Sequence, residues 1–381
     1  MGEPEGAAHA APAPARFYKP ELDGLRLLAF LMVFVHHAMP NEVSPRLAHL
    51  IGHAGAAIVA GLIRTGGFGV DLFFVLSSYL ITELLLREHD RRGTVDIKAF
   101  YIRRALRIWP LYFSFLILIG VVLPSFGYGL RLSGTALVAF ATFVANWYTG
   151  FYGYPPSSVA PLWSVSLEEQ FYLCWPIVVR FISIRHLARV ALAMIAASLI
   201  ARTILTSAHM PLAIWNFTVS RLDPIATGIL LAMWMRARPA FDVARPIRPV
   251  LAGCGFGCFL LVTLVWRLDQ STMGLAWLGY PLISVGALLL LVAAKRAEGK
   301  SILANPALVY LGRISYGLYV FHVFALGVAA RIADRLGLRQ VASGLIALIV
   351  TVALAACSYH LLEKPFLHLK QRFTYVPSRV P

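Results

Sequence analysis

The sequence is poor in charged residues, and this scarcity excludes an ordinary soluble protein. Only 14% of its 381 residues are Asp, Glu, Lys or Arg, whereas 59% are hydrophobic. A soluble globular chain carries about a quarter charged residues. Apolar stretches of roughly 17–25 residues recur along the chain, and each could cross a bilayer as a helix. Because spanning helices satisfy their own backbone groups in lipid, we predict an all-α, polytopic membrane helical bundle.

Cysteine is also scarce, which excludes a disulfide framework. The four cysteines all lie in apolar segments, at Cys174, Cys254, Cys258 and Cys357. Cys254 and Cys258 are four residues apart, but no second Cys or His pair has the spacing of a zinc site. We therefore interpret them as small residues on a packed helix face. The sequence predicts no metal site and no tightly bound cofactor.

Acidic residues are outnumbered, with 18 Asp and Glu against 34 Lys and Arg. Such an excess could indicate nucleic-acid binding, but the basic residues collect in short loops, as in membrane proteins that follow the positive-inside rule. The strongest collections lie in 87–107, 236–248 and 295–300. We predict that these loops face the cytoplasm, that the chain contacts the lipid bilayer, and that it binds no nucleic acid.

The apolar segments give a membrane topology. Eleven candidates fall near 23–39, 67–86, 106–125, 134–148, 167–184, 187–204, 219–235, 249–266, 276–294, 306–329 and 340–362. The charge rule places 185–189 inside and 149–166 outside, so the chain must cross an odd number of times between 107 and 149. Either 106–125 or 134–148 is then re-entrant or broken. We predict about ten transmembrane helices in a plasma membrane, the bacterial inner membrane, with both termini cytoplasmic.

The sequence divides into a tail, one membrane domain and a second, short tail. Residues 1–17, rich in Ala and Pro, are predicted to form a disordered tail because they lack a basic start and an apolar core. Residues 18–366 are predicted to form one membrane domain, and 367–381 a short cytoplasmic tail.

Three polar residues share one face of the first predicted helix. His37 follows Arg26 by eleven residues and lies within about 20° of the same face, whereas His36 lies about 80° away. Asp23 is within about 60° of Arg26. Polar groups on one face of a spanning helix turn toward protein or water, which favours a functional His37. Alternatively, Asp23 and Arg26 pair at the inner interface and both histidines lie at the outer one.

The second apolar segment contains a carboxylate, Asp71, near its outer end, with Ser77 deeper in. A carboxylate within a span pairs with a cation or lines a cavity. Because His37 and Asp71 occupy the outer halves of adjacent helices, they could form a histidine–carboxylate pair. The alternative is a purely structural ion pair between Asp71 and an arginine.

Two arginines three residues apart, Arg104 and Arg107, lie at a predicted helix start beside aromatic residues. Paired guanidinium groups suit a ligand with several phosphates. The alternative is a charge that only obeys the positive-inside rule.

The stretch from Trp163 to Trp175 combines acids and hydroxyls. Ser166 and Glu169 have the spacing of a capping box at a helix N-terminus. Glu168 is then left free, and it forms an i, i+4, i+8 stripe with Ser164 and Tyr172, which favours Glu168 as a functional acid. The alternative is an aromatic belt at the membrane surface.

These segments, in this order, resemble the acyltransferase-3 family of membrane O-acyltransferases. The resemblance runs from Tyr18 to Phe366. The matching stretches are "LDGLR" followed by ten residues and a histidine, which selects His37, then "GVDLFFVLSSYLIT", "FYIRRALRIWPLY", "LWSVSLEEQFYL", "RLDPIATGILLA", "ISYGLYVFH" and "LLEKPF". Three positions depart from the family pattern: Ser78 replaces a usual glycine, His36 an aromatic or apolar residue, and Lys364 an arginine.

The resemblance implies acyl transfer from cytoplasmic acyl-coenzyme A to a hydroxyl, commonly on a cell-surface sugar. It implies that Arg104 and Arg107 hold the coenzyme A phosphates, that Arg26 guides the donor and that His37 is the general base. A nearby carboxylate, Asp71 or Glu168, would orient the imidazole. Further substrate-binding residues are expected at Asp23, Ser77, Trp163, Tyr172, Arg221 and His322.

Other functions stay open at this stage. The acceptor could be a lipid or a small secreted metabolite, or the chain could be a proton-coupled exporter or flippase in which His37 and Asp71 relay protons. Because no esterase-like segment follows Phe366, transfer is expected to finish within the membrane domain.

Overall fold

A computed structural model describes residues 18–40, 45–129, 131–265, 276–295, 301–338 and 340–376. Within these ranges all regular structure is helical and no strand occurs, so the predicted all-α class is confirmed. The predicted tail 1–17, most of the basic loop 295–300 and the last five residues of the chain lie outside the described residues.

The helices follow one another with short connections. They are α1 Glu21–Ala38, α2 Pro45–Thr65, α3 Gly69–Arg92, α4 Ile97–Ile117, α5 Leu123–Ser125, α6 Gly134–Ala141, α7 Ala145–Tyr152, α8 Trp163–Phe181, α9 Ile184–Ser207, α10 Pro211–Asn216, α11 Leu222–Ala237, α12 Ile247–Leu260, α13 Ala276–Ala294, α14 Pro306–Arg313, α15 Ser315–Leu336, α16 Gln340–Ser358 and α17 Lys364–Lys370. Three π-helical turns extend α4, α12 and α16, at Leu118–Val122, Leu261–Val265 and Tyr359–Glu363.

Seven stretches of the described chain are long and apolar enough to cross a membrane. They are Ala48–Arg92, Ile97–Ser125, Ile184–Ser207, Ile247–Leu264, Ala276–Ala294, Ser315–Leu336 and Gln340–Phe373. The protein is therefore a multi-pass membrane protein. Three further helices, α1, α8 and α11, occupy predicted spans, but α1 and α8 each contain three charged side chains and α11 has only sixteen residues.

The structure contains one long helix that the sequence analysis did not predict. Residues 40–66 were expected to connect two spans, yet α2 occupies most of this interval and is kinked at Gly52, where φ is +74°. Its last residue, Thr65, hydrogen-bonds Thr263 across a distance of 2.8 Å. Two histidines, three glycines and a proline dilute the apolar pattern of α2, which is why the hydropathy signal missed it.

Of the two segments between 107 and 149, the second is the broken one. Helices α6 and α7 are separated at Phe143, a non-glycine residue with a positive φ of 57°. Gln170 of α8 stabilises the break, since its Nε2 donates to the Phe143 carbonyl and to Asn146 Oδ1, each at 2.8 Å. A long-range side chain thus satisfies a backbone carbonyl that a continuous helix would have used.

Small residues allow two pairs of helices to pack closely. At the α3–α11 contact, a Cβ on Gly228 would lie 2.0 Å from Ser78 Oγ and 2.3 Å from the Val75 carbonyl oxygen. Ser78 therefore fits in place of the family's usual glycine because its neighbour is a glycine. At the α12–α13 contact, Gly255 and Gly286 meet in the same way.

Candidate active site

One cavity of about 540 Å³ lies between α1, α3, α4, α8, α15 and α17. Its charged lining is strongly unbalanced: among the described residues it contains six cationic side chains and one carboxylate. They are Lys19, Arg26, Arg104, Arg107, Arg313 and Lys370, with Glu168 as the acid. We call the part of the cavity lined by Arg104, Arg107 and Lys370 the arginine end.

Two of three neighbouring arginines on α4 face this cavity. Arg103 is neutralised elsewhere, since it pairs with Glu88 at 2.8 Å and donates to the Phe373 carbonyl at 2.7 Å. Arg104 and Arg107 line the cavity instead, and the Arg104 guanidinium lies 5.7 Å from the centre of the Tyr172 ring. The prediction that they lie at a helix start is wrong, because α4 begins at Ile97 and both arginines lie within the helix.

The C-terminal segment closes the arginine end against the turn between α3 and α4. Asp96 caps α4 by accepting from the Ala99 N–H at 2.9 Å, and this hydrogen bond lowers the pKa of the Asp96 carboxyl. Tyr375 donates to the same carboxylate at 2.9 Å, while the Arg92 guanidinium lies 3.8 Å from the Tyr375 ring centre. The preceding helix α17 packs on α4 and thereby brings Lys370 beside Arg104 and Arg107.

The middle of the cavity contains a chain of hydroxyls and one carboxylate. Ser77 lies 2.5 Å from the Tyr172 hydroxyl, which donates to Glu168 at 3.2 Å. Ser164, Glu168 and Tyr172 all line the cavity, so their predicted stripe on one helix face is confirmed. Arg26 also lines it while pairing with buried Asp23 at 2.7 Å.

The predicted capping box at Ser166 and Glu169 is wrong. Helix α8 begins three residues earlier, at Trp163, and has no side-chain cap. Ser166 donates instead to the Leu162 carbonyl at 3.4 Å, and Glu169 accepts from the Trp109 indole at 3.1 Å. The tight turn Ala160–Leu162 starts the helix without a capping side chain.

The two adjacent histidines of α1 turn to different neighbours. His36 Nδ1 lies 3.2 Å from the Ile63 carbonyl oxygen of α2. His37 Nδ1 lies 3.0 Å from the Val33 carbonyl oxygen and 3.3 Å from Nε2 of His322 on α15. We call His37 and His322 the histidine pair. It lies outside the cavity lining but next to it, since the His322 ring is 5.4 Å from that of Tyr319, which lines the cavity.

The predicted contact between His37 and Asp71 is absent. Asp71 is fully buried and pairs with Arg221 at 2.7 Å, while its second oxygen has no hydrogen-bond partner in the described part of the chain. A similar ion pair joins Arg202 and Asp223 at 2.8 Å. The alternative prediction, an ion pair between Asp71 and an arginine, is therefore the one observed. The partner is Arg221, which follows Asp71 by 150 residues.

The structure thus brings together only part of the predicted site. Within the described residues, six of the predicted residues line the cavity: Arg26, Ser77, Arg104, Arg107, Glu168 and Tyr172. The others lie outside the lining: Asp23, His37, Asp71, Trp163, Arg221 and His322. Four lining residues with useful chemistry were missed: Lys19, Arg313, Tyr319 and Lys370. Nothing in the sequence distinguishes Lys19, Arg313 and Lys370 from ordinary basic residues near spans, or Tyr319 from other aromatic residues, because tertiary packing alone brings them to the cavity.

No group of three or more His, Cys, Asp or Glu side chains within the described part of the chain could hold a metal ion. Cys254 and Cys258 lie on α12, where Cys254 is exposed and Cys258 is half-buried beside α13, so that a Cβ on Gly286 would lie 3.1 Å from Cys258 Cβ.

A multi-pass helical protein with a cationic cavity between its spans is the class that the fold and the site define. The model of the acyltransferase-3 family, described as an acyltransferase domain, matches residues 19–360. The chain belongs to this family.

Curated relatives carry related names. A candidate O-acetyltransferase of Staphylococcus aureus (strain MRSA252) is 27% identical over 95% of this chain and 60% of its own length. The peptidoglycan O-acetyltransferase OatA of Listeria monocytogenes (serovar 1/2a, strain EGD-e) is 28% identical over 81% of this chain and 49% of its own. A candidate peptidoglycan O-acetyltransferase of Bacillus subtilis (strain 168) is 29% identical over 91% of this chain and 55% of its own. The chain therefore spans about half to three-fifths of the relatives it matches. No solved structure matches it.

Proposed function

We propose that this protein is an integral membrane O-acyltransferase that moves an acetyl or similar acyl group from acyl-CoA to a hydroxyl of a carbohydrate. The observation that carries the proposal is the cavity, in which six cations face one carboxylate. A cavity lining with more cations than carboxylates favours an anionic ligand, since burying an excess of like charges costs free energy. Coenzyme A, with its 3′-phosphate and diphosphate, supplies anions of the required kind.

The proposed topology has ten membrane crossings. Seven are the long apolar stretches, and the other three are α1, α8 and α11, in which Glu21, Asp23 and Asp223 are buried within the protein. We place both termini, the arginine end and the basic 87–107 loop in the cytoplasm of a bacterial cell, on the inner side of the plasma membrane. Acyl-CoA would then enter the cavity from the compartment in which it is made.

Each part of the cavity has a proposed task in donor binding. Arg104, Arg107 and Lys370 bind the phosphates, because a guanidinium group can form two parallel hydrogen bonds with phosphate oxygens. The pantetheine arm follows the cavity past Ser77 and Tyr172, whose hydroxyls can hydrogen-bond its amides. Neither part of this task requires a metal or a resident cofactor.

Transfer takes place near the histidine pair. His37 is exposed, so an acceptor can reach it. As the general base it accepts the proton of the acceptor hydroxyl, and the hydroxyl oxygen attacks the thioester carbonyl carbon. A carbon–oxygen bond forms, the carbon–sulfur bond breaks, and the coenzyme A thiolate leaves and takes up a proton.

A carbohydrate is the acceptor we favour, because two of the relatives have names that refer to peptidoglycan O-acetylation. A lipid or a small secreted metabolite would present the same hydroxyl chemistry and is the alternative within this class. The exporter hypothesis is weaker, because its relay needed Asp71 beside His37. The Asp71–Arg221 ion pair removes that carboxylate.

The test uses the full chain purified in lipid nanodiscs, with labelled acetyl-CoA as donor and N-acetylglucosamine oligosaccharides as acceptor. We expect His37→Ala to lower transfer by about 10²–10⁴-fold, the usual contribution of a general base, without weakening acetyl-CoA binding. His36→Ala is the matched control and should retain most activity, because His36 faces the α2 backbone. Binding is measured by scintillation proximity and transfer by mass spectrometry.

Two results would contradict the proposal. A wild-type protein that binds no acetyl-CoA would remove the donor, and an active His37→Ala variant would remove the base.

A further inference from the structure

The histidine pair has a defined hydrogen-bond direction, which follows from the backbone around it. A carbonyl oxygen can only accept a hydrogen bond, so an imidazole nitrogen that faces one must carry the proton. His322 Nδ1 lies 2.5 Å from the Tyr319 carbonyl oxygen, and His37 Nδ1 lies 3.0 Å from that of Val33. Nδ1 therefore carries a proton in both rings, and in the neutral form of each ring the lone pair is on Nε2.

The tautomers assign a direction to the contact between the two rings. His322 Nε2, which bears a lone pair, lies 3.3 Å from His37 Nδ1, which bears a proton. His37 Nδ1–H is thus shared between the Val33 carbonyl and His322. The remaining nitrogen, His37 Nε2, has its lone pair free, and His37 is the exposed member of the pair while His322 is fully buried.

This arrangement excludes His322 as the base and gives it another task. Both of its nitrogens are engaged, one with Tyr319 and one with His37, so neither can take a proton from an acceptor. The Phe30 ring packs edge-on against it, with 6.2 Å between ring centres, and limits its rotation.

We propose that His322 is a positioning residue for acyl transfer: its Nε2 accepts from His37 Nδ1–H, orients that ring and stabilises the imidazolium formed when His37 Nε2 takes the acceptor proton. This inference rests on the proposed function of His37 as the base. In many enzymes a carboxylate has this task, and here a second, neutral imidazole replaces it because Asp71 is bound to Arg221. The other ring against His37 is that of His36, on the same helix.

Two substitutions separate hydrogen bonding from packing. His322→Phe keeps a ring of similar size but has no acceptor. His322→Gln places a side-chain oxygen near the former Nε2, where it can accept from His37. Since a hydrogen bond to a charged group contributes about 1.5–3 kcal/mol, we expect His322→Phe to lower kcat by about 10–100-fold. The KM for acetyl-CoA should not change, and His322→Gln should recover most of the lost rate.

A spectroscopic measurement tests the pair without relying on activity. In solid-state NMR of the full chain labelled with ¹⁵N-histidine, wild-type His37 should show a protonated Nδ1 and an unprotonated Nε2. The Nδ1 proton signal should move upfield in His322→Phe and return in His322→Gln. His36→Gln is the matched control and should leave the signal of His37 Nδ1 unchanged.

The outcomes distinguish the two proposals. If His322→Phe and His322→Gln have the same kcat, or if the Nδ1 signal is the same in both, His322 does not position His37. If the signal responds as expected but no acetyl group is transferred by any form, the pair exists and the proposed function fails. Active variants with altered KM alone would also overturn the inference, because an acceptor of the His37 hydrogen bond acts on kcat.

Discussion

Two groups of buried arginines in this protein have opposite electrostatic surroundings. Arg202 and Arg221 are completely buried, and each forms an ion pair with an aspartate, Asp223 or Asp71, at 2.7–2.8 Å. The Arg221 guanidinium also lies 4.7 Å from the ring centre of Tyr280. Each of these two arginines therefore has an aspartate that compensates its charge.

At the arginine end, no carboxylate of the described residues forms an ion pair with Arg104, Arg107 or Lys370, and Glu169 and Glu363 act on the two arginines only at longer range. Arg104 lies between aromatic rings, Arg107 donates to the Arg313 carbonyl at 3.4 Å, and Lys370 shares the cavity with both. A compensated arginine connects helices, whereas an uncompensated one that lines open space is available for an anion. Burial of a charge alone therefore does not identify a binding site. The sign and number of the charges around it are what distinguish a binding site from a structural ion pair.

The largest effect should follow from breaking a compensated pair. We expect Asp71→Ala to lower the free energy of unfolding by about 3–5 kcal/mol, because it leaves Arg221 buried and unpaired. Unfolding is followed by titration with SDS from a mild detergent, with tryptophan fluorescence as the signal.

The double variant Asp71→Leu, Arg221→Met is the control for this prediction. Removing both charges should restore most of the lost free energy, because two apolar side chains need no compensation. A double variant as unstable as Asp71→Ala would show that the pair is needed for more than charge balance.

At the arginine end we expect the opposite pattern, a loss of binding without a loss of stability. Arg104→Ala and Arg107→Ala should each weaken acetyl-CoA binding by about 1.5–3 kcal/mol, the value of a charge-assisted hydrogen bond. The free energy of unfolding should stay the same or rise, because each change removes repulsion between like charges. Isothermal calorimetry in nanodiscs measures the affinity.

Lys98→Ala is the matched control, since it removes one positive charge from the exposed start of the same helix. It should leave the affinity unchanged. Unaltered affinity in the Arg104→Ala, Arg107→Ala double variant would mean that these arginines serve only to orient the membrane domain.

Local sequence patterns predicted those parts of the molecule that depend on local chemistry. The Ser164–Glu168–Tyr172 stripe could be predicted because helical periodicity alone puts these residues on one face. The same helical geometry predicted that His36 and His37 point in different directions, and the two rings contact different helices. Apolar runs likewise predicted the long spans, because length and hydropathy decide whether a helix can cross a bilayer.

Contacts between distant residues could not be predicted in this way. The sequence allowed Asp71 to pair with His37 or with an arginine, and the choice of Arg221 depends on how α3 packs beside α11. The break at Phe143 depends on Gln170, which follows it by 27 residues. Lys370 lies in the predicted cytoplasmic tail 367–381, and only the packing of α17 on α4 brings it to the cavity.

A smaller effect should follow from disturbing the packing beside the Asp71–Arg221 pair. Gly228 follows Arg221 by seven residues, and Ser78 follows Asp71 by seven, so the close contact lies two turns from the ion pair between the same helices. Gly228→Ala should cost about 1–3 kcal/mol of unfolding free energy, because the new methyl group overlaps the Ser78 side chain and the Val75 carbonyl.

The control for this packing prediction is Gly327→Ala on α15, where an added Cβ meets no atom within 4 Å. This change should be neutral or stabilise by about 0.5–1 kcal/mol, since alanine is the better helix former. Equal costs at the two sites would mean that the close approach of α3 and α11 has no energetic importance.

The smallest effect should come from an ion pair with the same chemistry at the surface. Arg236 and Asp90 join the ends of α11 and α3 with side chains 33% and 44% exposed. Because water screens exposed charges, Arg236→Ala should lower the unfolding free energy by less than about 1 kcal/mol, and the loss should shrink further in about 1 M salt.

The buried equivalent, Arg202→Ala, should lower the unfolding free energy by about 3–5 kcal/mol, and this loss should respond little to salt. Both variants remove an arginine from an aspartate, so the difference between them measures burial together with the hydrogen bonds that buried Arg202 makes to Ser220 and Ser198. If the two cost the same, charge balance in the interior does not distinguish the structural arginines from those of the cavity, and the argument for an anion site at the arginine end loses its reference.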